Sequence, residues 1–340
     1  MKTIFITSKL NFVDAGGSVT DLDLKAKGST VITVYSNKNK INKRLPYNVI
    51  EKYFKTSHQI PVQYKIFKLM REYKPDVYHV EGQYMYGAGL YKMFNKTPVI
   101  LFYNREFSTW HTPPGLRYLV EKYIGGLLIK KIDHYIFTNP FLRDKYYKYG
   151  LSKKVPHTIM PDFVKLPQGT RVEQDKIQIY CTGRMTSEKR FDLVLKEFAK
   201  LKNQNKYRLI LGGDGVERTN LMELSVELGI KAEFPGWVNP EKKANYLVNT
   251  DIFILPEWKA ELTSVILIEA MSLGLPCLVP KGGACAWLLD NAPNLLFDKY
   301  KPLSSIIAEM GNFKSLRELS GLHCKKQYDK FNKDLKKLLI

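Results

Sequence analysis

Short apolar runs recur along this chain at helix-length intervals, and no other feature restricts its fold as much. In the first half the runs are Thr3–Thr7, Ser29–Tyr35, Asp76–Val80, Pro98–Tyr103 and His134–Thr138. Their apolar residues are largely consecutive rather than alternating, the pattern of strands covered on both faces, and they predict a parallel α/β sheet. Residues 59–73 place Ile66, Leu69, Met70 and Tyr73 at the i+3 and i+4 offsets of one helix face, and Lys74-Pro75-Asp76 ends that helix before the next strand. The pattern breaks from Pro161 to Asp175, a polar stretch with proline, glycine and neither helix nor strand period. It then restarts. Strands are expected at Ile177–Cys181, Tyr207–Leu211, Ala232–Phe234, Ile252–Pro256 and Pro276–Pro280, with helices at Phe191–Lys202, Asn220–Leu228, Glu241–Val248 and Val265–Leu273.

A chain of 340 residues exceeds the size at which one core stops growing, about 250 residues. The sequence therefore predicts an N-terminal Rossmann-like domain over 1–165, a linker over 166–175, a second Rossmann-like domain over 176–312, and a C-terminal helix over 313–340 that packs back toward the first domain. In that last helix Leu316, Leu319, Leu322, Phe331, Leu335 and Leu338 form an apolar stripe opposite a lysine-rich side. Two such sheets leave a cleft between the C-terminal edges of their strands, where open α/β sheets bind ligands.

Several function classes fall away on composition. Lys9, Asn11 and Asp14 interrupt the apolar start before a signal-peptide core forms, and Lys122, Lys130, Lys131 and Asp133 break up the best candidate for a spanning helix. Cys181, Cys277, Cys285 and Cys324 lack CxxC spacing, so they read as thiols in a reducing, cytoplasmic setting, with no metal site. The net charge of +20 calls for an anionic partner: nucleotide phosphate, acidic glycan, anionic lipid or nucleic acid. Nucleic acid is not expected, because no zinc-finger spacing, RNP-like strand pair or basic arm is present. Basic residues interleaved with tyrosines from Tyr118 to Lys154, among them Lys145, Lys148, Lys153, Tyr146 and Tyr147, suit attachment to an anionic membrane surface.

Three glycine loops follow predicted strands. Gly16 and Gly17 after the first strand leave room for a phosphate or sugar at a helix start. Gly183, with Arg184 and Lys189 before the helix at Phe191, puts two cations where a diphosphate would sit; a solvated basic loop is the alternative. Gly213, within Gly212-Gly213-Asp214-Gly215, offers another close approach or an ordinary turn. In the richest segment a loop carries Glu257 and Glu261, and a helix opening at Ser264 and Val265 carries Glu269. The two carboxylates Glu261 and Glu269 address one site, one toward a sugar and one toward a ribose, or Glu269 holds a structural ion pair.

Taken in order, these segments resemble the retaining glycosyltransferases of family 4, the glycosyl transferases group 1, which have the GT-B architecture. The resemblance is strongest from Cys181 to Gly283. It rests on Glu261 and Glu269 with seven residues between them, followed by Ala270-Met271, Gly274 and Pro276. It implies that Glu261 faces the donor sugar, that Glu269 binds the ribose, that Arg184 and Lys189 clamp the diphosphate, and that Gly16 and Gly17 form the first-strand loop. The implied reaction is hexosyl transfer, with retention, from a UDP-, GDP- or other nucleotide-diphosphate sugar to a glycan or lipid-linked acceptor, with no cofactor required. Departures from the family pattern are Thr263-Ser264 in place of Phe-Gly, Ala284-Cys285-Ala286 where a glutamate is common, and Asn104 where a histidine is frequent at the end of the strand Val99–Tyr103. The alternatives are a noncatalytic sugar-binding partner subunit or an anionic-polymer binding protein.

Overall fold

The computed structural model describes residues 2–7, 26, 28–35, 48–53, 59–103, 126–148, 150–162, 164–257 and 262–338. The chain divides into two compact units, Met1–Val164 and Lys165–Ile340, each built on its own parallel sheet.

In the first unit β1 (Thr3–Thr7), β2 (Thr30–Tyr35), β3 (Asn48–Tyr53), α1 (Gln59–Glu72), β4 (Val77–Glu81), α2 (Met85–Phe94), β5 (Val99–Tyr103), α3 (Gly126–Ile129), β6 (His134–Phe137), α4 (Pro140–Lys148) and β7 (His157–Ile159) follow in sequence. The sheet runs β3-β2-β1-β4-β5-β6-β7, all pairs parallel. The edge strands β3 and β7 are additions to the expected set: Asn48-Val-Ile-Glu-Lys-Tyr53 and His157-Thr-Ile159 lack the apolar run of a doubly covered strand because an edge buries less. Much of the tyrosine content is core. Tyr78, Tyr103, Tyr135 and Tyr146 are fully buried, and the Tyr78 hydroxyl donates to Met70 O at 2.7 Å, which removes the cost of burying it. Tyr146 therefore does not belong to a lipid-facing surface. Tyr147 hydrogen-bonds His157 Nδ1 at 3.1 Å, while Lys148, Lys153 and Lys154 are exposed.

The second unit contains β8 (Ile177–Thr182), α5 (Phe191–Ala199), β9 (Tyr207–Gly212), α6 (Arg218–Glu227), β10 (Ala232–Glu233), α7 (Pro240–Val248), β11 (Ile252–Ile254), α8 (Val265–Ser272), β12 (Cys277–Pro280), α9 (Gly283–Leu288), β13 (Leu296–Phe297), α10 (Leu303–Asn312) and α11 (Lys314–Leu338). Its parallel sheet runs β10-β9-β8-β11-β12-β13. Local signals set the elements: Asn239 Oδ1 accepts from Lys242 N at 2.8 Å and Pro240 occupies the first turn, so α7 starts there. The stretch from 166 to 175 is tied to this unit, with Arg171 donating to Thr250 O at 3.0 Å and Val172 N to Asn249 Oδ1 at 2.7 Å.

Helix α11 packs on α8, α10 and β12 of its own unit. The leucine stripe makes that contact only in part: Leu319 and Leu322 are each 66% exposed, Leu316 and Phe331 are half-buried with the Phe331 ring 5.2 Å from that of Trp287, and the fully buried positions are Ser320, Gly321, Cys324, Gln327 and Tyr328. The reason is steric. A Cβ on Gly321 would stand 2.2 Å from the Gly274 carbonyl oxygen, so the helix approaches through its smallest residue. All four cysteines are buried free thiols.

Candidate functional site

The order of the second sheet puts β8 between β9 and β11, so the chain winds outward from β8 in both directions. Loops leaving the carboxyl ends of β8 and β11 diverge at such a switch point, which is where open α/β sheets bind ligands. Those loops are the ones that the sequence singles out: Gly183–Arg190 after β8, and the segment from Leu255 to Ser264 after β11.

The glycine loops fit against each other. Gly183 N donates to Gly212 O at 3.1 Å, Met185 N to Asp214 O at 2.8 Å, and Glu217 N to Met185 O at 3.1 Å. Gly213 has φ +131°, and a Cβ there would lie 1.9 Å from the Gly183 carbonyl oxygen. The two turns expected at Gly183 and Gly213 thus form one packed base, in which Gly213 is needed for backbone clearance.

Charge is concentrated above that base. The Arg184 side chain is exposed and, among the described residues, has no ion pair. Lys189 is paired with the carboxylate of Glu257 from the β11 loop, and this contact holds the two loops together. Arg190, in the left-handed region at φ 53°, ends the short turn Ser187–Lys189 and leads into α5, while its side chain bonds Asp192 at 3.2 Å. Helix α8 opens at Ser264, whose carbonyl accepts from Leu267 N at 3.1 Å. The amides of Val265 and Ile266 precede Leu267 N, the first intrahelical donor, so they are the donors that a helix start offers to an anion.

Glu269 sits in the second turn of α8 and is buried. Lys243 of α7 places its ammonium 2.8 Å from Oε1 and 2.6 Å from Oε2. Oε2 nevertheless accepts no hydrogen bond of good geometry and is shut off from water. Burial lifts the Glu269 carboxyl above the usual carboxylate range, and Lys243 opposes that shift. The ion pair read as the structural alternative is present, and it leaves one carboxylate oxygen with acceptor capacity. Lys243 carries no sequence signal, because it meets Glu269 only when α7 and α8 pack.

Gly16, Gly17, Asn104 and Glu261 lie outside the described residues. In the first unit β1 and β4 flank the corresponding switch point. Glu81, at the end of β4, is fully buried. Its Oε2 accepts from Thr7 Oγ1 at 3.1 Å and from Gln83 Nε2 at 2.9 Å. The sequence reading passed over Glu81, although a carboxylate closing the apolar run Val77-Tyr-His-Val is a signal that could have found it. Among the described residues no group of three or more His, Cys, Asp or Glu side chains is arranged to hold a metal.

Two all-parallel, doubly wound units of this kind define the GT-B class. The structure of Anabaena HepE in complex with UDP and glucose superposes with a TM-score of 0.72 at 12% identity, covering 100% of this chain and 99% of that one. Residues 162–310 match the family model described as glycosyl transferases group 1, and this segment belongs to that family. Among curated proteins, the chain is 23% identical over 239 residues to alpha-monoglucosyldiacylglycerol synthase of Streptococcus pneumoniae, covering 63% of this chain and 54% of that protein. It is 26% identical over 125 residues to an uncharacterised glycosyltransferase of Methanocaldococcus jannaschii, covering 36% and 32%. The chain therefore spans between about a third and about half of the length of these relatives.

Proposed function

We propose that this protein transfers a hexose, with retention, from a nucleotide-diphosphate sugar to a glycan or lipid-linked acceptor. The observation that carries the reading is Glu269: a buried carboxylate beside the switch point, charge-compensated by Lys243, whose ammonium is 2.6 Å from Oε2 without a hydrogen bond of good geometry, so that Oε2 keeps acceptor capacity for a further donor. A ribose hydroxyl supplies such a donor. The diphosphate then takes the exposed Arg184 guanidinium, the Lys189 ammonium and the opening amides of α8 at Val265 and Ile266, a set of preorganised donors where negative charge grows as the glycosidic bond breaks. Gly183 and Gly213 keep the base of the site low enough for the phosphates to approach backbone. Glu261 faces the sugar, Gly16 and Gly17 seat a donor phosphate or sugar oxygen, Asn104 takes the place of the histidine that contacts the sugar in the family, and the N-terminal unit takes the acceptor. The cations perform the work of leaving-group stabilisation, so the mechanism requires no cofactor.

Support for the donor class comes from HepE, seen with UDP and glucose. Support for a lipid acceptor comes from the relative named for a glucosylated diacylglycerol. A cytoplasmic setting, at the membrane when the acceptor is lipid-linked, accords with four buried thiols. The test is a panel of UDP-, GDP- and other nucleotide-diphosphate sugars offered to the purified protein, read by donor hydrolysis and thermal shift. One preferred donor is expected. A protein that ignores every nucleotide sugar, yet binds long polyanions with steep salt dependence, would be a polymer binder instead.

A further inference from the structure

A cluster of large apolar side chains stands on the outside of the first unit. Phe94 and Met93, at the end of α2, are 70% and 54% exposed, and Tyr64 of α1 is 52% exposed. Half-buried Phe67 joins them, its ring 6.1 Å from Tyr64 and 6.2 Å from Phe94. Cations are laid over these rings: Lys68 Nζ lies 4.9 Å from the Tyr64 centroid, and Arg71 Cζ lies 5.7 Å from that of Phe67. Tyr64, Lys68 and Arg71 fall at i, i+4 and i+7, one outward stripe of α1, and exposed Lys96 follows α2. The acids of this side are engaged, Glu72 with Lys52 at 3.3 Å and Asp133 with Lys92 at 3.0 Å. A surface kept only for solubility has no use for contiguous Phe, Met and Tyr.

We propose that this face of α1 and α2 docks on an anionic lipid bilayer. Phe94 and Met93 enter below the headgroups, Tyr64 and Phe67 lie at the boundary, and Lys68, Arg71 and Lys96 meet lipid phosphates. Charge decides between the occupants: two copies meeting through this face would bring like charges together, whereas an anionic surface complements both the patch and the chain's +20. No helix among the described residues is long and apolar enough to cross a membrane, so contact through this patch is peripheral. The proposal stands apart from the transfer reaction, since it uses none of the residues assigned to donor binding.

Flotation with vesicles tests it, comparing phosphatidylcholine alone with phosphatidylcholine containing phosphatidylglycerol. The protein is expected to float only with the anionic vesicles and to release as salt rises. The double variant M93S/F94S should lower partitioning about tenfold by removing the inserted apolar groups. The double variant K68Q/R71Q should lower it about tenfold or more and flatten the salt dependence. Both changes are on exposed side chains, and circular dichroism checks that the fold is intact. Replacing Lys148, Lys153 and Lys154 by Gln should leave partitioning much less affected. Absence of flotation at low salt overturns the proposal. So does flotation that both double variants retain, or self-association in place of lipid binding that M93S/F94S abolishes.

Discussion

Lys243→Met separates the charge of the Glu269 pair from its packing, because Met keeps the length of the aliphatic stem and removes the ammonium. At 2.8 Å and an effective dielectric constant of about 20, the Coulomb attraction is about 6 kcal/mol before desolvation is subtracted. Stranding one member of a fully buried pair costs about 3–5 kcal/mol. The Glu269 side chain is only 7% exposed, but that of Lys243 is 31% exposed and partly screened. The expected loss is therefore about 2–3 kcal/mol near pH 8. Its pH dependence carries the argument. Glu269 has its carboxyl pKa raised by burial, so between the unfolded value and the raised folded value the native state binds more protons, and stability falls as pH rises. Without Lys243 the folded value moves higher and that fall steepens. Urea denaturation of variant and wild type at pH 4.5 and pH 8 should show a difference that is small at the lower pH and full at the higher. A loss of equal size at both would refute the reasoning, since it would mean that the stem's packing, not an uncompensated carboxylate, is at stake. Adding Glu269→Gln to the variant should restore most of the stability at pH 8.

Other outcomes follow from the same geometry. Glu269→Ala should weaken binding of the preferred nucleoside diphosphate by about 2–4 kcal/mol in titration calorimetry, as expected for loss of a charge-assisted, buried hydrogen bond to ribose; unchanged affinity in a folded variant ends that role. Arg184→Ala should lower kcat about 10²–10³-fold while leaving the melting temperature almost unmoved, because the side chain is exposed and unpaired among the described residues. Lys189→Ala should reduce turnover and also cost some stability through its lost contact with Glu257, which thermal melts would detect. Gly213→Ala should destabilise by about 2–4 kcal/mol in chemical denaturation, because a Cβ 1.9 Å from the Gly183 oxygen forces backbone to move.

The α/β class, the restart near residue 176 and the site-bearing loops were legible in the chain because covered strands, amphipathic helices and glycine turns are local patterns. Thr3–Thr7 and His134–Phe137 became strands because each holds three consecutive apolar residues, Ile4-Phe-Ile6 and Tyr135-Ile-Phe137. Edge strands such as β3 and β7 escaped, since an edge strand is partly wet and its residues carry little periodic signal. The contacts that give the site its electrostatics belong to tertiary structure. Lys243 meets Glu269 across two helices, Lys189 meets Glu257 across two loops, and Glu81 joins the end of β4 to Thr7 at the end of β1. The same holds for α11, where the leucine pattern named Leu319 and Leu322 for burial and the close approach of Gly321 to Gly274 leaves both exposed. Periodicity fixes which elements form, because it depends on neighbours a few residues apart. Which side chains then meet depends on how backbones separated by tens of residues can approach, and that is a matter of excluded volume in three dimensions.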